Sequence, residues 1–399
     1  MQRSSPPAPT ALPWHPAAGS DVQRSARARQ RFFGEGVPPA GQVPDAVWHS
    51  WQRCLQSGLR PEQRPAFEPV SRSKVSYLAG RDHVLLKAAR RPFDELQAMV
   101  ARSRCKVLLA DRDGVLLRVT PAGPDDSPLV KASCRTGVHL GELLVGTTAP
   151  TVAARTGANC AVGVSEHFYD ALRDMRCVAA PIRNRHGVVV AVLDLSIESQ
   201  PFGFDALWLV QAYAGTIENN LRIAQTRQQV LLRLHSSAAA LQTPGAGLAA
   251  VDEGGRISWL NGLAAALVGV NASDARQFKA DELLGCSVEQ VLARSALHTP
   301  QPLLLPNGLT VWMQAEYRDL GDGQGEAEDD ARTPLAPSPA AAPIATDTAK
   351  PLPSAATLAQ LNRQLIDLTL AECHGNVSQT ARRLGVSRGL LYRRLREDG

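Results

Sequence analysis

The last 24 residues, Asn376–Gly399, read NVSQTARRLGVSRGLLYRRLREDG and admit few folds. The pattern predicts a short helix, a three-residue turn and a second helix. Ser378 is the expected cap of the first helix and Ser387 of the second, each hydroxyl accepting from a backbone N–H that has no partner inside its helix. Gly385 falls where the first helix must stop, because glycine tolerates the left-handed conformation of a C-terminal cap. Ala381, Leu384, Val386, Leu391 and Leu395 can form a small core. Gly389, Leu390, Tyr392, Arg393 and Arg396 then point outward, with Arg388 at the N-terminal edge. Six arginines (382, 383, 388, 393, 394 and 396) stand against Glu397 and Asp398. Apolar residues inside and guanidinium forks outside are what a helix entering a DNA major groove requires. A solvated basic hairpin is the plainer alternative; the agreement of turn, caps and charge favours DNA.

Composition localises that contact. The formal net charge of the 399-residue chain is +5, and the terminal segment supplies most of it, so the protein is not generally cationic. A hydrophobic content of 44% supports two or three domains with real cores. Seven cysteines are scattered without a CxxC pair, which signals neither a zinc site nor a disulfide framework. No early apolar run resembles a signal peptide and none is long enough to span a membrane, so a cytoplasmic location is expected. No spacing suggests a catalytic triad or paired catalytic carboxylates. A non-enzyme with no cofactor and no metal is the expectation.

Along the chain the pattern predicts a multidomain α+β protein. Residues 1–20 are Pro/Ala-rich and expected to be disordered, and 21–74 form a helical region that includes VWHSWQRCLQSG (47–58). Residues 75–203 form an α+β unit. Within it VLLADRDGVLLRV (107–119) reads as two strands joined by an Asp-Gly turn, and CVAAPIRNRHGVVVAVLDLS (177–196) repeats the pattern around Asn184–Gly187. This unit is expected to be an antiparallel sheet with helices on one face. Residues 204–242 read as a linking helix in which Ala214, Ile217, Leu221, Ala224, Gln228 and Leu231 keep the spacing of a coiled-coil seam; packing on the neighbouring sheet is the alternative. A smaller α+β module spans 243–320, opening with strand, Gly-Gly turn, strand, Asn261 and helix. Residues 321–356, acidic and then Pro/Ala-rich, are a tether, and 357–399 the all-α DNA-binding end.

Three stretches carry a family resemblance. The terminus, GNVSQTARRLGVSRGLLYRRL, resembles the Fis-type helix-turn-helix that closes bacterial enhancer-binding activators. The resemblance implies a dimer on a palindromic operator, with a preceding helix over Thr357–Cys373 and Ser387, Arg388, Leu390, Tyr392, Arg393, Arg394 and Arg396 toward double-stranded DNA. Near the N-terminus SWQRCLQSGLRP is similar to the SW-x-RC-x3-GL-x-P signature of acetoin-catabolism-type activators. Gly137, Glu142, Gly146-Thr147-Thr148, Glu166-His167-Phe168, Cys177, Ala179, Pro181 and Ile182 resemble the motifs of that family's GAF sensor domain. Leu140 stands where the family has Trp, Thr148 where it has Asn, and Phe168 where it has Tyr. The resemblance implies a small-molecule inducer held by Glu142, Thr147, Thr148, Glu166, His167, Phe168 and Cys177. Residues 248–270 resemble the opening of a PAS domain.

One family feature is missing. The central ATPase of such activators needs a GxxxxGK[ST] loop, yet none of the six lysines follows a glycine or precedes Ser or Thr. No GAFTGA stretch, the family's sigma-54 contact, occurs either. The sequence therefore predicts a ligand-responsive DNA-binding regulator without ATPase activity, working with RNA polymerase or with a full-length sigma-54 activator as its partner or antagonist. Other readings are a GAF-type methionine sulfoxide reductase, or a metal or redox sensor built from Cys105, Cys134, Cys160, Cys177, His139, His167 and His186.

Overall fold

The computed structural model describes residues 19–297 and 299–319, with 376, 377, 379 and 380 near the C-terminus. Helices begin where the Pro/Ala-rich opening gives way to charged residues: α1 is Gly19–Glu35, α2 Asp45–Gln56, α3 Arg72–Arg81 and α4 His83–Val100. Ser71 caps α3 by accepting from the Lys74 N–H at 3.2 Å. Two strands follow, β1 (Lys106–Asp111) and β2 (Leu116–Val119), and the expected Asp-Gly turn joins them. Asp111 Oδ1 accepts from the Asp113 and Val115 N–H groups, and Gly114 adopts φ +89°, which a glycine accommodates.

Three short helices, α5 (Pro128–Ser133), α6 (Glu142–Val145) and α7 (Ala149–Thr156), precede β3 (Cys160–Val162), β4 (Met175–Arg183) and β5 (Val189–Glu198). The sheet is antiparallel with strand order β2-β1-β5-β4-β3. Alternation along the strands gives it two different faces. Val107, Leu109, Val178, Ala180, Leu193 and Leu195 form a core with α4 and with α8 (Ala206–Gln225). Pro92 within α4 has no N–H for the Ala88 carbonyl, and Asn220 Nδ2 of α8 donates to that oxygen instead at 3.1 Å. Helices were expected on one face only. In the structure α5–α7, together with α1 and α2, cover the second face as well.

The linking helix also differs from the sequence reading. α8 ends at Gln225, Gln228 has φ +53°, and Gln229–His235 form β6. Ala214, Ile217 and Leu221 pack on the GAF-like sheet, whereas Leu231 lies in a strand buried on both faces. A strand covered on both sides is apolar at nearly every position, and over seven residues that matches a helical seam as well as a strand.

β6 is the centre of a second antiparallel sheet completed by β7 (Gly247–Val251), β8 (Ile257–Leu260), β9 (Gln301–Leu304) and β10 (Thr310–Arg318), in the order β8-β7-β6-β10-β9. Between β8 and β9 run α9 (Gly262–Val268), α10 (Ala280–Leu284) and α11 (Val288–Ser295). Asn261 starts α9, its Oδ1 accepting from the Ala264 and Leu248 N–H groups. One face of the sheet packs on these helices, and Leu231, Leu248, Ala250 and Trp259 on the other meet Ile223 of α8.

The chain divides into two compact units, of which Gly323–Gly399 is the second. In it the Asn376 carbonyl accepts from the Gln379 and Thr380 N–H groups and its Oδ1 from Gln379 at 3.1 Å, while Ser378, the expected cap, lies outside the described residues. Val377, Gln379 and Thr380 are helical, and Thr380 is buried. The expected DNA-facing residues 387–396 lie outside the described residues, as do the tether and the helix over 357–373.

Candidate ligand cavity and the N-terminal interlock

On its second face the GAF-like sheet presents Leu108 from β1, Cys177 from β4 and Ser196 from β5, with Asp194 beside Leu108 and Ala179 in register. Above it lie Val130 and Cys134 from the α5 region and Leu140, Val145 and Thr148 around α6 and α7. Together they enclose a cavity of about 110 Å³, further lined by His167, Leu172, Met175 and Ile197. Arg104, Lys106, Asp125, Asp126 and Glu198 also line it, and of these Arg104 and Asp125 are exposed.

Only part of the sequence-derived ligand set belongs to this cavity. Thr148, His167 and Cys177 line it; Glu142, Thr147, Glu166 and Phe168 do not. Those four hold the N-terminal helices. Glu142 receives Arg53 Nη2 at 2.6 Å, Arg53 Nε at 2.9 Å and the Ser50 hydroxyl. Thr147 Oγ1 lies 2.7 Å from Ser50 Oγ. Glu166 accepts from Ser25 Oγ and the Gly163 N–H through its carboxylate, and from Trp51 Nε1 through its carbonyl. Phe168 packs edge-on against Phe33, and Arg29 donates to the carbonyls of His167 and Phe168 and to Asp170. Gly146 is required here: at φ +66° any Cβ would come within 2.7 Å of Phe168 Cβ. The SWQRC motif and the Gly-Thr-Thr and Glu-His-Phe motifs are thus halves of one interlock. Val47, Ser50, Trp51 and Cys54 are fully buried in it.

Sequence reasoning missed Asp194 and Ser196. Ser196 Oγ lies 2.6 Å from Asp194 Oδ2 and 3.1 Å from Cys177 Sγ. Burial pushes the Asp194 carboxyl up to about 7, and its Oδ1 has no hydrogen-bond partner. Burial also pulls His167 down to about 3, keeping the imidazole neutral. The thiols move the other way: burial raises Cys54 and Cys134 to about 11, Cys160 to about 12, and Cys177 well above its usual value. The only hint of Asp194 in the sequence is one charge inside an apolar strand, VAVLDLS.

The candidate metal set is not gathered. Cys105 packs on the opposite face, His139 contacts the Asp113 carbonyl and His186 contacts Arg276. Among the described residues no three His, Cys, Asp or Glu side chains are placed to hold a metal ion. No described helix is long and apolar enough to cross a membrane.

A second polar cluster joins the two sheets. Arg222 of α8 pairs with Glu218 at 2.7 Å and donates to the Leu260 carbonyl of β8 at 2.8 Å. Glu218 accepts from the Arg183 N–H of β4, and Trp259 Nε1 donates to Thr226 Oγ1.

Comparison with known proteins identifies two domains in the chain. Residues 85–221 match the GAF domain model, and 357–397 match the model of the bacterial regulatory protein, Fis family. The chain is 30% identical over 232 residues to the acetoin catabolism regulatory protein of Cupriavidus necator, covering 55% of this chain and 35% of that protein. It is 24% identical over 305 residues to the propane 2-monooxygenase operon transcriptional activator MimR of Mycolicibacterium goodii, covering 75% and 49%. The chain therefore spans between a third and a half of those two relatives. The E. coli DhaR(N)–DhaL complex structure aligns with a TM-score of 0.43 at 16% identity, over 68% of this chain and 99% of that one.

Proposed function

We propose that this protein is a ligand-responsive, sequence-specific DNA-binding transcriptional regulator. The observation that carries the reading is a lined cavity inside a GAF domain in the same chain as a Fis-type terminus. In this reading a small-molecule inducer fills the cavity, a dimer places two recognition helices on a palindromic operator, and Ser387, Arg388, Leu390, Tyr392, Arg393, Arg394 and Arg396 face the DNA. The second sheet acts as a PAS-like module. Its element order after β6 supports that assignment, and the Glu218–Arg222 cluster gives cavity occupancy a route to it. The two relatives' names, one from acetoin catabolism and one from a propane 2-monooxygenase operon, support a catabolic setting.

The chain regulates without hydrolysing nucleotide, because the lysine-bearing phosphate loop of the enhancer-binding ATPases is missing from its sequence. It acts through RNA polymerase, or as partner or antagonist of a complete sigma-54 activator on shared operators. The thiol chemistry weighs against a methionine sulfoxide reductase: such a nucleophile needs a lowered pKa, and burial raises those in the cavity. Mapping of chromosomal binding together with transcript levels of the bound genes tests the proposal. Discrete sites upstream of a catabolic operon, with altered transcription on deletion, are expected; uniform chromosomal occupancy would remove it.

A further inference from the structure

His186 stands in the turn between β4 and β5 with a guanidinium on each side of its ring. Arg276 Nη2 is 2.6 Å from Nδ1, and Arg185 Nε is 3.2 Å from Nε2. A guanidinium nitrogen donates and has no lone pair to offer, so both ring nitrogens are asked to accept. A neutral imidazole has one acceptor nitrogen and one N–H. Whichever tautomer forms, one of the two contacts sets N–H against N–H. Protonation removes the remaining lone pair and makes both contacts repulsive. Partial burial, then the charges of Arg276 and Arg185, hold the ring below the ordinary histidine pKa, and no acid group offsets them. The ring is a poor occupant of the place it fills.

Main-chain carbonyls, not carboxylates, position the arginines around it. Arg185 Nη1 donates to the Gln225 carbonyl at the end of α8 at 2.9 Å, and Arg276 Nε to the Ser258 carbonyl of β8 at 3.2 Å. Arg183, at the end of β4, spends its guanidinium on the Gly157 and Gly187 carbonyls. The carboxylates on these elements are engaged elsewhere: Glu218 pairs with Arg222 at 2.7 Å, and Asp274 accepts from Asn271 and Ser273. A cation at a helix C-terminus needs no other explanation, and that accounts for Arg185. It does not account for Arg276. That side chain comes from the 3-10 helix Ala272–Gln277, beside the second sheet, and meets Arg185 across a ring that cannot satisfy both.

Both guanidiniums lack a single group that accepts at two points. Two oxygens of a phosphate span nearly the same gap as the two ring nitrogens, each carries lone pairs, and the anion's charge compensates both arginines. The ring is free to leave, since it is exposed and even a Cβ at the adjoining Gly187 would meet nothing within 4 Å. We infer that Arg185 and Arg276 form a site for a phosphate group, with His186 as the side chain that the phosphate displaces. Once filled, the site ties the β4–β5 hairpin of the GAF domain to the helices of the second sheet through one anion.

Calorimetric titration of inorganic phosphate into the full chain near pH 8, at constant ionic strength and with chloride as the control, tests this. Phosphate is expected to bind saturably and chloride not at all. Arg276→Ala and Arg185→Ala should each weaken phosphate at least about tenfold, the factor that a hydrogen bond between charged groups is worth. His186→Ala removes the competitor and should bind phosphate more tightly than the wild type, a gain that a misfolded variant cannot give. Phosphate should also slow amide exchange at residues 184–187 and 272–277 together. Random-sequence duplex distinguishes the source of the group. Unchanged duplex affinity in Arg276→Ala is expected and marks a free phosphate compound, whereas a loss marks the DNA backbone. No saturable phosphate binding, equal binding by the wild type and both arginine variants, or weaker binding by His186→Ala would each overturn the assignment. The comparison of phosphate with chloride stands even if a variant fails to fold.

Discussion

Arg53 of α2 grips Glu142 of α6 through two parallel hydrogen bonds, Nε to Oε2 at 2.9 Å and Nη2 to Oε1 at 2.6 Å. Both side chains are mostly buried, and Ser50 adds a third donor to the same carboxylate. The bond ties residues 89 positions apart and makes the N-terminal helices part of the GAF domain's second face.

Glu142→Ala should therefore cost about 2 kcal/mol in urea unfolding, because it strands Arg53 and Ser50 together. The double variant with Arg53→Ala should be less destabilised than the sum of the singles, and limited proteolysis should cut first between α1 and α2. Additive losses would mean that the pair is not coupled.

Arg222 sits almost fully buried between the sheets, and Glu218 is its counter-ion. Burial raises the Glu218 carboxyl and Arg222 partly offsets it. Arg222→Met leaves that carboxyl uncompensated and should cost about 3 kcal/mol near pH 8. A carboxyl with a raised folded pKa favours the native state while protonated, so the loss should shrink as pH falls toward 5. Glu218→Gln in the same chain should recover most of it.

Asp194 and His167 give opposite pH dependences. Asp194 titrates at about 7 in the folded chain against about 3.9 unfolded, so it favours folding at low pH and loses that contribution as pH rises from 4 to 7. His167 titrates at about 3 folded against about 6.5 unfolded, so its contribution is present above 6.5 and lost as pH falls. The two largely cancel between pH 4 and 6.5. Asp194→Asn should unmask a stability that climbs with pH across that window, by at most about 1.4 kcal/mol per unit. His167→Gln should unmask the opposite slope. Identical profiles for wild type and Asp194→Asn would show that the carboxyl titrates normally.

Buried thiols whose pKa is raised react slowly. In a Cys373→Ser background, iodoacetamide at pH 7 should leave Cys134 and Cys177 unmodified in the native chain on a timescale that labels a free thiol fully. Rapid labelling of either, read by peptide mass spectrometry, would revive a thiol-based chemistry.

Local chemistry was legible in the sequence, and long-range pairing was not. The Asp113-Gly114 turn and the Asn184–Gly187 turn could be read because each is made within a few residues: Asn184 Oδ1 accepts from the His186 and Val188 N–H groups. Cys177, His167 and Thr148 were found by resemblance and do line the cavity. Glu142 and Glu166 looked like pocket residues because a polar motif carries no label for its partner, and theirs lie in α1 and α2. β6 was hidden because QVLLRLH is apolar enough for either period, and its neighbours β7 and β10 arrive only later in the chain.

The central claim is sequence-specific DNA binding by the full chain. Fluorescence anisotropy at about 0.15 M salt, comparing its own promoter fragments with shuffled duplex of the same length, measures it directly. At least one fragment should bind about a thousandfold more tightly than the shuffled duplex, and Arg393→Ala should remove about 1–3 kcal/mol of that preference. Equal affinity for promoter and shuffled DNA, unchanged by Arg393→Ala, would contradict the account.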